Sequence, residues 1–196
     1  MRAYNGYKKG TPTQEREKLP IGGYVIRIME AEEVTYTWGS ALKISFDIAE
    51  GEQKDFYAKD YRSQQEPKKW KGTRQLTIPQ DGDEDKNKDY FANQIACIEA
   101  SNVGYEFDFD EKKLKGKIVG AVFGEKEYEF NGNHGFFVTC RGFRTVDAIR
   151  SGKFKVPDKL MLKKSTGDNG FSLWMIPQMT AICRFNHGTE MERCRD

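Results

Sequence analysis

Apolar and polar residues alternate with period two along several stretches of this chain, which is the mark of strands buried on one face. Tyr24 to Val34 (YVIRIMEAEEV) sets Tyr24, Ile26 and Ile28 on one side and Val25, Arg27 and Met29 on the other. Apolar character on both sides predicts a strongly curved, barrel-type strand. Leu42 to Ile48 alternates cleanly, with Leu42, Ile44, Phe46 and Ile48 inward and Lys43, Ser45 and Asp47 outward. Glu50-Gly51-Glu52-Gln53 reads as a hairpin turn, since Gly51 tolerates positive φ. Asp55 to Arg62 (DFYAKDYR) then reads as the returning third strand.

A polar insertion spans residues 63–85. The period changes after it: Phe91, Ile95 and Ile98 fall at i, i+4 and i+7, which predicts a helix over Lys88 to Ser101, ended by Asn102-Val103-Gly104. Asp108 to Lys113 is a charged turn. A fourth strand lies within Leu114 to Tyr128, with Ile118, Val119, Ala121, Val122 and Phe123 as its body. Asn131 to Gly135 is a hairpin loop, Phe136 to Arg144 a fifth strand, and Asp147 to Arg150 a short helical turn. The expected fold is mainly β: a five-stranded OB-fold-like barrel with a helix between strands 3 and 4, plus N- and C-terminal extensions. An SH3-like barrel also has five strands, but the helix in the third connection favours the OB arrangement. The domain spans residues 19–157, after a flexible arm (1–18) and before a partly ordered extension (158–196).

Composition narrows the function. The net charge is only +2, so attraction to a polyanion requires local segregation of charge, and segregation is visible. Lys68 to Arg74 (KKWKGTR) is basic, and Asp81 to Asp85 (DGDED) is acidic. No run of apolar residues is long enough to cross a membrane, and the N-terminus lacks the apolar core of a secretory signal, so a cytoplasmic location is expected. Cys97, Cys140, Cys183 and Cys194 form no CxxC pair, and His134 and His187 are the only histidines. Neither a zinc site nor any other metal or cofactor is expected. Without a phosphate loop, a GxSxG or an HExxH, no catalytic residues stand out, and the chain reads as a non-enzyme.

Aromatic and basic residues interleave at several places. Unstacked bases need flat π-faces, and phosphates need cations. In OB folds the ligand crosses strands 2 and 3 between two loops, which here are Tyr36–Ala41 and Phe130–Gly135. On that frame Trp38, Tyr57, Tyr61 and Trp70 are the candidate base-stacking residues. Lys43, Lys59, Arg62, Lys68, Lys69, Lys71 and Arg74 are the candidate phosphate partners. Each has a bland alternative. Trp38 and Trp70 could anchor their own loops, Tyr57 and Tyr61 could pack in the core or at a sheet edge, and the cations could form a solvated face.

The block SNVGYEFDFDEKKLKGKIVGAVFGEKEY with VDAIRSGKFKVP, together with LPIGGYVIRIMEAEE, LKISFDIAEGEQKDFY and WKGTRQLTIP, resembles a phage and prophage family long labelled a domain of unknown function. Its members sit in replication and recombination modules and look like single-stranded-DNA-binding proteins. The resemblance spans roughly Leu19 to Lys159 and implies single-strand binding with little sequence preference in phage DNA replication or recombination. It supplies no binding residues of its own. The chain ends HGTEMERCRD, without the acidic, hydrophobic-tipped tail by which many such proteins recruit partners. A different class of function stays open, that of a non-enzymatic adaptor within a phage replication complex. Phage replication or recombination proteins and a second copy of the chain are then further partners.

Overall fold

The computed structural model describes residues 5–6 and 17–162. The domain is mainly β, with five antiparallel strands in one sheet and three α-helices. In chain order these are β1 (Gly22–Tyr36), β2 (Gly39–Ile48), α1 (Phe56–Ser63), β3 (Thr73–Thr77), α2 (Asp85–Ser101), β4 (Ile118–Phe130), β5 (Asn133–Arg144) and α3 (Val146–Arg150), with a short 3₁₀ turn at Glu111–Leu114 before β4. The sheet order is β3-β2-β1-β4-β5. β1 is central and shared: Ile26 to Tyr36 pair with β2, and Gly22 to Arg27 pair with β4.

The apolar alternation explains the core. Phe46, Phe123 and Phe143, from β2, β4 and β5, are fully buried together with Ile26, Ile28, Ile44 and Leu76. Burying side chains of this size stabilises the fold by about 1.5–3 kcal/mol each. In β1 the inward phase changes partway. Ile26 and Ile28 point into the core, a bulge intervenes between Ile28 and Glu30, and Ala31 is the next buried residue. The extra residue resets the period and bends the strand.

Two expectations are corrected. Asp55 to Arg62 is not the third strand but forms α1. The reason lies on β2, where the buried carboxylate of Asp47 accepts hydrogen bonds from the Tyr57 and Ala58 amides at 2.9 and 3.0 Å, and from its neighbour Ile48 at 2.8 Å. The α1 N-terminus is therefore capped by a residue of another element, not by one in its own sequence. The third strand is instead Thr73–Thr77, inside the stretch expected to be a polar insertion. It pairs with β2 from Ser45↔Thr73 to Ala41↔Thr77. β4 and β5 also run further than expected, to a two-residue turn at Asn131-Gly132.

β5 has no ladder to β3, and side chains cover that edge. Arg74 on β3 donates to the Cys140 carbonyl at 2.6 Å, and its guanidinium lies 5.7 Å from the Phe143 ring. Gln94 of α2, itself buried, accepts from the Phe143 amide at 2.7 Å. Residues 158–162 return beside β4. Glu127 N donates to Leu160 O at 2.8 Å, and Leu160 N donates to Glu125 O at 3.0 Å. The rest of the arm expected at 1–18 and of the extension expected at 158–196, with Cys183, His187 and Cys194, lies outside the described residues. Among the described residues, no helix is long and apolar enough to cross a membrane.

Candidate nucleic-acid interface

The eleven sequence-predicted residues do not form one surface. By register, the β1–β2 turn that carries Trp38 and the segment that carries Trp70 sit at opposite ends of β2 and β3. At least four residue pairs, about 13 Å of strand, lie between them. At the turn, Trp38 is 40% exposed and stacks on Tyr36, with centroids 5.0 Å apart and rings inclined by 5°. Gln75 of β3 donates to the Tyr36 hydroxyl at 2.7 Å, which fixes the lower ring of that stack.

The other end is richer. After α1 the chain passes through Gln64–Gly72, a strap that leads into β3. Gln64 acts as a clamp in the manner of a strand neighbour. Its amide nitrogen donates to Lys69 O at 2.9 Å and to Asp60 at 2.7 Å, and its amide oxygen accepts from Lys69 N at 2.8 Å. Trp70 donates its indole N–H to Gly72 O at 3.1 Å, and that carbonyl also accepts from Phe46 N at 2.7 Å. At Gly72 a side chain would collide with the Phe46 carbonyl oxygen and the Tyr57 ring, so the close approach of strap and sheet requires glycine.

These contacts place Tyr61 and Trp70 side by side, with ring centroids 5.9 Å apart. The Lys68 ammonium lies 5.7 Å from the Tyr61 ring centre. Tyr61 is 37% exposed and Trp70 half-buried. Lys59 and Arg62 are exposed on α1, and Lys69 is exposed on the strap. Among the described residues, Lys59, Arg62 and Lys68 have no carboxylate partner. Lys71 pairs with Asp60 at 2.9 Å. Residues 56–74 carry six cations and two carboxylates, so this end is positive although the whole chain is nearly neutral. A surface that combines an exposed ring, a half-exposed indole and unpaired cations can hold a stacked base with its phosphates.

Three predicted residues are committed elsewhere. Tyr57 is only 7% exposed, with its ring edge-on to Phe46 at 5.6 Å, and burial pushes its hydroxyl pKa up. It is a core residue and cannot stack on a base. Arg74 holds the Cys140 carbonyl and the Tyr90 hydroxyl, so its guanidinium bridges β3 to β5 and α2 and is not available to phosphate. Lys43 is cross-strand from Glu32 and paired with it at 2.7 Å. The pair is half-exposed and weak, so Lys43 is a neutralised position more than a locked one.

A second aromatic group, flanking the Phe130–Gly135 loop, lies outside the eleven candidates. Beyond Phe123, β4 and β5 leave β1 and continue as a two-stranded arm. Tyr128, Phe130, Phe136 and Phe137 are all exposed on it, and the Tyr128 and Phe137 rings are 6.2 Å apart. A Cβ at Gly135 would lie 2.9 Å from the Tyr128 ring, so glycine lets that ring lie across the arm. The signal was available in the alternation of YEF and GFF about the Asn-Gly turn. The arm's charge is opposite to the strap's, with Glu125, Glu127 and Glu129 against Lys126.

Among the described residues, no group of three or more acidic, histidine or cysteine side chains could hold a metal ion. Cys140 is buried, which pushes its thiol pKa up and leaves it mostly protonated at neutral pH. No protein-family model matches the chain, and no curated protein matches it.

Proposed function

We propose that the protein binds single-stranded DNA with little sequence preference, in phage DNA replication or recombination, and that the strap end of the sheet is its contact surface. The observation that carries this reading is the juxtaposition of Tyr61, Lys68 and Trp70, framed by Lys59, Arg62 and Lys69. Rings of this kind accept any base, and flexible cations follow a phosphate chain without reading sequence. The resemblance of residues 19–159 to a phage and prophage family of unknown function, whose members look like single-stranded-DNA-binding proteins, supports the same reading. We take the sheet as an OB-fold-like barrel whose last seam is made by side chains. The strand order, the helix between β3 and β4, and the Arg74 bridge from β3 to β5 support this. Trp38, stacked on Tyr36 at the far end of β2, would contact a strand long enough to cross the sheet.

The test is fluorescence anisotropy of labelled oligo-dT at two salt concentrations, with matched duplex as competitor. Binding that prefers single strands and weakens steeply with salt supports the proposal. No binding at low salt overturns it and favours the adaptor reading.

A further inference from the structure

We propose that the free edge of β5, from Asn133 to Thr139, pairs antiparallel with the same edge of a second copy of this chain. Alternation in the arm fixes which backbone groups point outward. Glu125 O and Glu127 N bond to Leu160, away from β5. In an antiparallel ladder their partners Val138 and Phe136 therefore direct their own N–H and C=O groups away from β4. No hydrogen bond to those outward groups is present among the described residues. Elsewhere the edges of the hairpin are covered in part, on β4 as far as the Glu127 amide. Residues 158–162 lie along β4, while Arg74, Gln94 and Cys97 occupy the outward groups of Cys140 and Phe143. Coverage stops where the bare run begins.

The identity of the occupant follows from the chemistry of the run. Proteins blunt exposed edges with lysine, glutamate or proline, and Asn133 to Thr139 (NHGFFVT) contains none of these. Within the run only His134 is ionisable, and Glu129 lies 3.6 Å from it; the Lys159 ammonium over the Phe136 ring is itself paired with Glu125 at 2.7 Å. Nucleic acid is disfavoured, because the neighbouring strand presents Glu125, Glu127 and Glu129. Two-fold pairing uses the bare run of both copies at once, so assembly closes at a dimer and does not continue into a fibre. Only a short strand and the rings of Phe136 and its neighbours are available, so association belongs in the micromolar range and not the nanomolar.

Sedimentation equilibrium of the full chain, free of nucleic acid, tests this, together with amide hydrogen exchange at Phe136 and Val138. The expected result is a dimer at micromolar concentration whose exchange at those two amides speeds up on dilution. Phe136→Pro removes an outward donor without removing a β4–β5 ladder bond, and it should halve the mass. Phe136→Leu keeps the donor and should leave the mass unchanged. A wild-type monomer, protection that does not change on dilution, a dimer that survives Phe136→Pro, or loss of the dimer in Phe136→Leu each overturns the proposal. The exchange measurement needs no variant, so a failure of Phe136→Pro to fold leaves the test intact.

Discussion

The strap end and the β4–β5 arm both hold aromatic rings toward solvent, yet they suit different partners. Around Tyr61 and Trp70 the surrounding side chains are mostly cations. Around Tyr128, Phe136 and Phe137 lie three glutamates against Lys126 and Lys159, and among the described residues the outward backbone groups of Phe136 and Val138 have no partner. Exposed aromatics alone do not define a ligand, because a π-face accepts a base, a cation or another apolar side chain equally well. The counter-charge and the hydrogen-bonding groups around the ring decide among these. Our two proposals follow this difference, a polyanion for the strap and a strand of uncharged backbone for the arm.

Removing the support of one region alone has the largest expected effect. Asp47→Ala takes away the carboxylate that three backbone amides share, and should cost roughly 3 kcal/mol of stability in urea unfolding. It should also abolish oligonucleotide binding by releasing α1, while the mass of the protein at the temperature of a folded sample stays as in wild type. If binding survives Asp47→Ala with α1 lost, the strap is not the contact surface. Next in size, Trp70→Ala and Tyr61→Ala should each weaken oligo-dT binding by about 1–3 kcal/mol in anisotropy titrations. Tyr128→Ala, on the arm, should leave the titration unchanged. Equal losses from the two regions would mean that the strap and the arm serve the same ligand.

A smaller effect separates charge from stacking. Lys68→Ala should flatten the dependence of log K on log salt by about 0.7 if that ammonium meets a phosphate. The same change at Lys126 should not alter the slope. The smallest effect concerns neither region and serves as a control for pH. Arg150 donates to Glu50 at 2.6 Å, and this hydrogen bond lowers the Glu50 pKa. Because the folded-state pKa lies below the unfolded one, the contribution is present at neutral pH and is lost as pH falls through the lowered value. In Arg150→Ala, thermal melts should lose that part of the acid sensitivity, and oligonucleotide affinity at neutral pH should hold.

Legibility varied with how local the determining contact was. β2 shows its expected inward face, since Leu42, Ile44, Phe46 and Ile48 meet the core directly, but Asp47, expected outward, is buried. α2 was read from Phe91, Ile95 and Ile98, although it begins at Asp85, three residues before the expected start. The segment DFYAKDYR carries both a weak strand alternation and a helical pair, Tyr57 and Tyr61, and only Asp47 on another strand selects the helix. β3 escaped notice because a short edge strand needs little pattern: Leu76 is its single buried residue. In the candidate site, Tyr61 and the Lys68–Trp70 patch are expected on separate segments, and the structure places them side by side. Tyr57 and Arg74 were included because composition does not reveal which ring or guanidinium the core has already taken.

Residue order alone is enough for the mainly β character, the long central strands, the helix before β4 and the local concentration of cations around Trp70. These depend on periodicity and on neighbours within a few residues, which a chain carries in its order. The tertiary structure alone decided that α1 is a helix and that Tyr57 faces the core four residues from an exposed Tyr61. It also decided that Arg74 closes a gap between strands, and that Trp38 and Trp70 stand at opposite ends of the sheet. Each of those outcomes depends on a contact between distant residues, such as Asp47 with Tyr57 or Arg74 with Cys140, whose partners meet only when the sheet has formed.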